Sequence, residues 1–232
     1  MKVERTHSTN TLLKELLAKG DRRVSGDELF YVRADYQTAG RGQAGNGWES
    51  EAGKNLLCSI LLPPDKNLYF LNIAIGVALV RVIGDDFTIK WPNDIYWGDK
   101  KVAGILIENA IVGSEVKYSI AGIGLNVNQT AFHSDAPNPI SLKQIRGQEY
   151  NIEQLMNQLL EAVKTVLQEP EREVWSYYRS HLYRREGLWP FEDKNDCFLA
   201  RIKDVLPTGE IVLEDEQGKE RKYHFKQIRY VI

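Results

Sequence analysis

The chain has 232 residues, a mass of 26.6 kDa and a net charge of −2, from 30 Lys and Arg against 32 Asp and Glu. This balance gives no general attraction for nucleic acids or anionic membranes, so neither DNA nor a membrane is predicted as a partner. The apolar fraction of 43% is typical of a globular protein, and two cysteines with a polar N-terminus that lacks an apolar leader favour a reducing, cytoplasmic location.

The first 128 residues alternate predicted helices and strands. Capping side chains at Ser8, Thr9, Asn10 and Thr11 precede an apolar helix face that ends at Gly20. Alternating or buried apolar runs predict strands over residues 29–37, 55–62, 87–90, 102–112 and 115–126, and an apolar helix over 68–83. Gly113-Ser114 suits a two-residue hairpin turn.

The remaining chain changes character near Arg185. A polar loop spans 129–139, and Asn151 and Gln154 predict the capped start of a helix over 151–168; a third helix spans 171–183. Short predicted strands follow over 197–205, 211–214, 221–225 and 228–232, with tight turns between them. We therefore predict two domains, residues 1–184 and a small β-barrel of residues 185–232.

A glycine-rich loop directly follows the first predicted strand. Between Gly40 and Gly47 the chain has four glycines, together with Arg41 and the nearby Trp48. Glycines allow a backbone to approach an anion closely, and the guanidinium suits a phosphate or carboxylate. The loop is neither a Walker A loop nor a dinucleotide fingerprint, and a glycine-rich surface loop is the alternative interpretation.

Two later segments could also contribute to a site. The corner Lys90-Trp91-Pro92-Asn93-Asp94 brings a cation, an amide and a carboxylate together, although a structural turn would look the same. Lys101 begins a buried strand, while Gly104 and Gly122 interrupt strands in a way that suggests close approach of a ligand or a backbone. The four histidines are scattered, so no protein-bound metal site is predicted.

In this order, the segments closely resemble biotin–protein ligases (biotin–[acetyl-CoA-carboxylase] ligases). The resemblance covers residues 5–128 and rests on Ser8-Thr9-Asn10, Gln37 with Gly40-Arg41-Gly42 and Trp48, Lys90–Asp94, Lys101 with Gly104-Ile105-Leu106 and Glu108, and Gly122-Ile123-Gly124 with Asn126. The C-terminal segment matches the SH3-like domain of that family more loosely.

The resemblance implies an α/β (α+β) fold, with a mixed sheet and flanking helices like those of class II aminoacyl-tRNA synthetases, plus a C-terminal SH3-like β-barrel. It implies a two-step reaction: biotin and ATP, with Mg²⁺, form biotinyl-5′-AMP and pyrophosphate, and a lysine of a biotin carboxyl carrier protein then takes the biotinyl group. No covalent enzyme intermediate is expected.

The resemblance also implies a role for each site residue. Ser8, Thr9, Asn10 and Gln37 would bind the ureido ring of biotin. Arg41 and Lys101 would act as catalytic cations. The substrate pockets would include Gly40, Gly42, Gln43, Trp48, Asn93, Gly104, Ile105, Gly122 and Asn126, and Lys90 and Asp94 would serve the nucleotide and its Mg²⁺.

Two departures from the family pattern carry expectations. Many members have an arginine where this chain has Gln43 and a basic residue near Asn46, so we expect either compensation from elsewhere or easier release of biotinyl-AMP. Ser8 lies close to the start of the sequence, so we expect neither a preceding DNA-binding domain nor repressor function.

Two alternatives stay open at this point: a lipoate–protein ligase or octanoyltransferase, which shares the fold, and a non-catalytic biotin or nucleotide sensor. Homodimer formation through a sheet edge, for example at residues 115–121, is a further possibility.

Overall fold

The computed structural model describes residues 1–20, 28–64, 67–113, 115–134 and 137–232. Its strands are β1 Lys2–Thr6, β2 Tyr31–Gln37, β3 Leu56–Leu62, β4 Thr88–Lys90, β5 Asp94–Trp97, β6 Lys100–Val112, β7 Glu115–Leu125, β8 Trp189–Asp193, β9 Cys197–Val205, β10 Ile211–Asp215, β11 Glu220–Tyr223 and β12 Ile228–Tyr230. Its helices are α1 Thr9–Ala18, α2 Leu68–Ile83, α3 Leu142–Arg146, α4 Ile152–Gln168 and α5 Glu171–Ser180.

A seven-stranded sheet in the order β1-β2-β3-β7-β6-β5-β4 forms the larger part of the molecule. The β1–β2 pair is parallel and the other pairs are antiparallel. All seven residues of β3 are buried, because helices cover both faces of this strand. Alternate residues of β3 therefore belong to two cores, with Cys58 and Ile60 on the α2 side and Leu61 on the α1 side.

The apolar helix α2 lies between this sheet and helices α4 and α5. Ten of its sixteen residues are buried, in a continuous run from Phe70 apart from Asn72. A helix that is apolar on nearly every side needs such a double cover. Its Asn72 donates a 2.5 Å hydrogen bond to the Pro92 carbonyl, which ties the helix to the corner after β4.

The C-terminal strands form a second, antiparallel sheet in the order β11-β10-β9-β8-β12, called here the C-terminal sheet. Its buried side chains continue the main core, and Trp91 donates a 3.0 Å hydrogen bond to the Gly209 carbonyl across the junction. The predicted fold class, a mixed α/β sheet with flanking helices and a small C-terminal β unit, is confirmed.

Several element predictions are confirmed closely. Helix α2 has the predicted bounds, and Asn151 caps α4 by accepting hydrogen bonds from the backbone N–H groups of Glu153 and Gln154. The third helix is shorter than predicted and ends at Ser180. Leu182 instead forms a parallel bridge with Ile89 of β4, in which the Ile89 N–H donates to the His181 carbonyl and the Tyr183 N–H donates to the Ile89 carbonyl.

Three strands and one helix were absent from the prediction. Strand β1 is largely charged and exposed, so no apolar pattern marks it. Strand β8 contains Pro190, which normally argues against an interior strand. Strand β5 and helix α3 have only four and five residues, too few for a periodicity to be visible.

The predicted sheet edge at residues 115–121 is only partly an edge. Residues Ser119 to Ala121 of β7 are paired on both sides, with β3 and with β6. Within the described part of the chain, Glu115 to Tyr118 of β7 have no β3 partner, and β6 beyond Ile105 has no β5 partner, because β5 pairs only through Lys100–Gly104. Homodimer formation stays a prediction, and Ser114 of the predicted hairpin turn lies outside the described residues.

None of the helices in the described ranges is both long enough and apolar enough to cross a membrane.

We predict that Asn55→Leu lowers the free energy of unfolding by about 2–3 kcal/mol, because it leaves buried polar groups without partners. Asn55 is 1% exposed; it accepts a 2.9 Å hydrogen bond from the Val127 N–H and donates to Gln129 at 2.5 Å. Urea unfolding measures the loss. The control Asn157→Leu, on the exposed side of α4, should change the free energy by less than about 0.5 kcal/mol. Equal losses of unfolding free energy in Asn55→Leu and Asn157→Leu would show that the buried hydrogen bonds of Asn55 are not the cause.

Candidate active site

Two adjoining cavities open on the α1 side of the large sheet. The smaller has a volume of about 50 Å³ and the larger about 790 Å³. Their shared wall consists of Gln37, Trp48, Asp94 and Lys101. The predicted site residues that line the smaller cavity are Ser8, Thr9, Asn10, Gln37, Arg41, Gly42, Gln43, Trp48, Asn93, Asp94, Lys101, Gly104, Ile105 and Gly122.

The larger cavity receives the remaining predicted residues, Gly40, Lys90 and Asn126. Every residue predicted from the sequence as a site residue therefore lines one of the two cavities. Tyr96 and the loop residues Phe132, Ser134, Pro137 and Pro139 complete the larger wall. Glu49 closes one side, because its carboxylate accepts hydrogen bonds from the backbone N–H groups of His133 and Ser134.

A buried polar network forms one end of the smaller cavity. The Ser59 hydroxyl lies 2.7 Å from the Thr9 hydroxyl and 2.5 Å from Asn10 Oδ1. Gln37 Oε1 accepts a 2.7 Å hydrogen bond from the Thr9 backbone N–H. Helix α1 begins at Thr9, and Ser8 makes no side-chain cap, so these polar side chains serve the cavity rather than the helix end.

Glu108 of β6 accepts hydrogen bonds from one amide and two cations at the rim of this network. Its carboxylate accepts hydrogen bonds from Asn10 at 2.7 Å, Lys14 at 2.9 Å and Arg41 at 3.1 Å. Burial alone would raise its pKa, but the hydrogen bonds from Lys14 and Asn10 and the nearby positive charges outweigh burial and lower the pKa below its ordinary value. Glu108 thus holds the predicted catalytic Arg41 against the sheet.

A bulge in β6 brings Lys101 into the site. Ile95 of β5 pairs with Ala103, whereas the next residue, Tyr96, pairs with Lys101, so Val102 is an extra residue in the strand. Regular alternation would place Lys101 and Gly104 on opposite faces, but the bulge puts the Lys101 amine beside Gly104. There it forms a 2.7 Å ion pair with Asp94 and lies 5.6 Å from the Trp48 ring centroid.

Glycines on two neighbouring strands make room for Trp48. A Cβ atom at Gly124 would lie 2.3 Å from the Trp48 indole, and one at Gly104 would lie 3.1 Å from it. A Cβ atom at Gly122 would lie 2.5 Å from Asn10 Oδ1. The indole N–H of Trp48 and Oε1 of Gln43 are buried without a hydrogen-bond partner in the described residues, so both groups are available to a ligand.

Asn93 and Asn126, both predicted to bind substrate, also donate hydrogen bonds to backbone carbonyls. The Asn93 amide donates to the Ile105 carbonyl at 2.6 Å, and the Asn126 amide donates to the Ile140 carbonyl at 3.2 Å. These bonds fix the β6 strand and the loop before α3 around the cavities.

Residues 3–126 match the sequence model of the biotin/lipoate A/B protein ligase family. The chain belongs to this family. The Bifunctional ligase/repressor BirA of Bacillus subtilis is 37% identical over 214 residues, which cover 83% of this chain and 63% of the relative. The Biotin--[acetyl-CoA-carboxylase] ligase of Paracoccus denitrificans is 32% identical over 173 residues, 69% of each chain.

A solved biotin protein ligase from Aquifex aeolicus, in complex with biotin and ATP, superposes with a TM-score of 0.80. The superposition covers 100% of this chain and 98% of the other at 24% identity, and it establishes the shared fold of the biotin/lipoate ligase family. The chain spans 61–63% of the length of the BirA relatives that it matches.

Sequence reasoning missed Ser59, Lys14 and the anchoring role of Glu108. Ser59 lies within an otherwise apolar strand and Lys14 on a helix with mostly apolar neighbours, so neither belongs to a recognisable motif. Only the pairing of β3 with β7 and the position of α1 bring them to this site of the ligase family fold.

We predict that Glu108→Gln destabilises the protein by about 1–2 kcal/mol at pH 7 and has no such effect in acid. The folded-state pKa of Glu108 is lowered, so its ionised carboxylate contributes stability above the unfolded pKa, and that stability is lost as the pH falls through the folded pKa. Urea unfolding of both proteins at pH 7 and at successively lower pH measures the difference. A difference that is independent of pH would show that the charge of Glu108 is not the cause.

Proposed function

We propose that this chain is a biotin–protein ligase, which forms biotinyl-5′-AMP from biotin and ATP and transfers biotin to a lysine of a carrier protein. One observation carries the proposal: a buried network of hydrogen-bonding side chains adjoins a larger cavity, and the Lys101 amine lies at their shared wall. This arrangement suits a polar ring at one end and an anionic, triphosphate-bearing ligand at the other.

The ring-binding end consists of Thr9, Asn10 and Gln37, with Ser59 buried behind Thr9 and Asn10. A ureido group has one acceptor oxygen and two N–H donors, which hydroxyl and amide side chains can satisfy together. At about 50 Å³ the smaller cavity holds only one or two waters, so a bicyclic ring enters when Trp48 and the glycine-rich loop move outward.

In the first step a carboxylate oxygen of biotin attacks the α-phosphorus of ATP, and the bond from that phosphorus to the bridging oxygen breaks, releasing pyrophosphate. Negative charge passes from the attacking carboxylate to the phosphorus oxygens and to the leaving pyrophosphate. Arg41 and Lys101 are the cations placed to stabilise it. Arg41 exchanges its Glu108 partner for the substrate anion, and Lys101 acts from the wall between the cavities.

In the second step the neutral ε-amine of an acceptor lysine attacks the acyl carbon of the mixed anhydride. The acyl–oxygen bond breaks, AMP leaves with its electron pair, and the amine loses one proton. The named biotin--[acetyl-CoA-carboxylase] ligase relative supports a biotin carboxyl carrier domain as acceptor.

Mg²⁺ would arrive with ATP. Asp94 fits this role as a single carboxylate that already neutralises Lys101, since Mg²⁺ on a nucleotide needs only one or two protein carboxylates beside the phosphates. When bound, the ion would neutralise phosphate charge. Within the described residues no group of three or more His, Cys, Asp or Glu side chains could hold a metal on its own.

Pyrophosphate release from ATP and Mg²⁺, measured with and without biotin before any acceptor is added, tests the proposal. We expect release that depends on biotin, because adenylation needs no carrier protein. Release with lipoate or octanoate but not biotin would favour the other branch of the family. Biotin binding without pyrophosphate release would instead identify a sensor.

We predict that Arg41→Ala and Lys101→Ala each slow biotin-dependent pyrophosphate release roughly 10²–10³-fold, the usual cost of removing one group that stabilises transition-state charge. Single-turnover kinetics at saturating biotin and ATP measure the effect. Lys117→Ala is the matched control, because Lys117 forms an exposed ion pair with Glu115 and lines neither cavity. A rate within threefold of wild type for either site variant would refute its assigned role.

A further inference from the structure

The Lys90 side chain occupies an aromatic enclosure built from both sheets. Its ammonium lies 5.2 Å from the ring centroid of Tyr96 in β5 and 4.6 Å from that of Tyr230 in β12. Tyr96 and Tyr230 are 4% and 9% exposed, so both rings are largely shielded from water, while Lys90 itself is half-buried and lines the larger cavity. Cation–π contacts of this kind are strongest where solvent is excluded.

No described residue forms a hydrogen bond or an ion pair with the Lys90 amine. Asp94 is the nearby carboxylate, and its Oδ1 contacts Lys101 instead. Burial lowers the pKa of Lys90, Asp94 raises it, and the positive charges of Lys101 and Arg184 lower it further. A half-buried ammonium without an anionic partner is unfavourable, so this arrangement is stabilised when an anion enters the larger cavity, which Lys90 lines.

Tyr230 contributes its ring face rather than its hydroxyl. The hydroxyl oxygen is buried and has no hydrogen-bond partner among the described groups. The ring packs on Phe191 at 4.8 Å and on Tyr183 at 5.6 Å between centroids. These contacts fix the plane of the ring against the Lys90 amine.

We propose that Tyr230 is a positioning residue, which holds the Lys90 ammonium toward the larger cavity so that the C-terminal sheet assists binding of the ATP phosphates. The inference rests on the proposed function. In this inference the C-terminal sheet assists nucleotide binding through one cation, the Lys90 ammonium.

The test is a double-mutant cycle on the KM for ATP in biotin-dependent pyrophosphate release, using wild type, Tyr230→Leu, Lys90→Met and the double variant. We expect Tyr230→Leu to raise the KM about tenfold, with kcat changed much less, since losing a desolvated cation–π contact has that scale. The dissociation constant for biotin without nucleotide should stay within about twofold. In the Lys90→Met background, Tyr230→Leu should add less than about twofold, because the partner of Tyr230 is already gone.

Further variants separate positioning from stability. Tyr230→Phe keeps the ring face and should therefore have the wild-type KM for ATP, unlike Tyr230→Leu. Tyr223→Leu removes a ring from the same sheet without touching Lys90 and should leave the KM unchanged. If Tyr230→Leu does not fold, Tyr230→Met serves in its place. A KM within twofold of wild type for Tyr230→Leu, or a full tenfold effect in the Lys90→Met background, would overturn the inference.

Failure of the proposed function gives a different result. Wild type would then release no biotin-dependent pyrophosphate, and the same four proteins would be compared by equilibrium binding of ATP. The tenfold weakening by Tyr230→Leu, absent in the Lys90→Met background, is still expected there.

Discussion

The site depends on a stretch of sheet surface that carries no side chains. Gly104 on β6 and Gly122 and Gly124 on β7 lie side by side, because Gly104 pairs with Gly124 across the two strands. A methyl group at Gly122 or Gly124 would overlap Asn10 or Trp48, with separations of 2.5 and 2.3 Å. Glycines weaken strand interiors, so three of them on one face are retained only where close approach is needed. Here Asn10 of α1 lies against Gly122, and Trp48, which follows the glycine-rich loop, lies against Gly124.

The glycine-lined sheet surface lies between a network of neutral hydrogen-bonding side chains and a group of charged side chains. On the α1 side, hydroxyl and amide groups satisfy one another in a buried chain that ends at Glu108. On the loop side, Lys101 faces Asp94 and Trp48, and the larger cavity begins. Glu108 pairs with Arg41 and Asp94 pairs with Lys101, the two cations that we propose as catalytic. The two ion pairs hold both cations against the sheet and offset their positive charges. A substrate anion would bind a cation by taking the place of its carboxylate partner.

The fold class and the residues that line the two cavities could be predicted from the sequence, but the contacts that hold those residues together could not. The ordered motifs identify the lining residues because most lie at a helix start, at a strand end, in a turn or at a glycine inside a strand, where local chemistry is visible in the sequence. Lys101 enters the cavity only through the bulge at Val102, and regular alternation predicts the opposite face. Ser59 is hidden in an apolar strand, and the contact of Lys90 with Tyr230 spans 140 residues. Such features depend on tertiary pairing, which periodicity does not encode.

The corner between β4 and β5 connects these parts, and each of four residues in it has a separate partner. Lys90 meets Tyr230 of the C-terminal sheet, and Trp91 donates a hydrogen bond to Gly209 in a turn of the same sheet. Asn93 braces Ile105 of β6, and Asp94 holds Lys101. A shift of the C-terminal sheet would therefore move the backbone that carries Asp94, and with it the amine at the wall between the cavities. Tyr230 is the side chain of the C-terminal sheet that contacts the Lys90 amine. Because the same corner carries contacts to that sheet and contacts to β6, the C-terminal sheet is mechanically coupled to the candidate site.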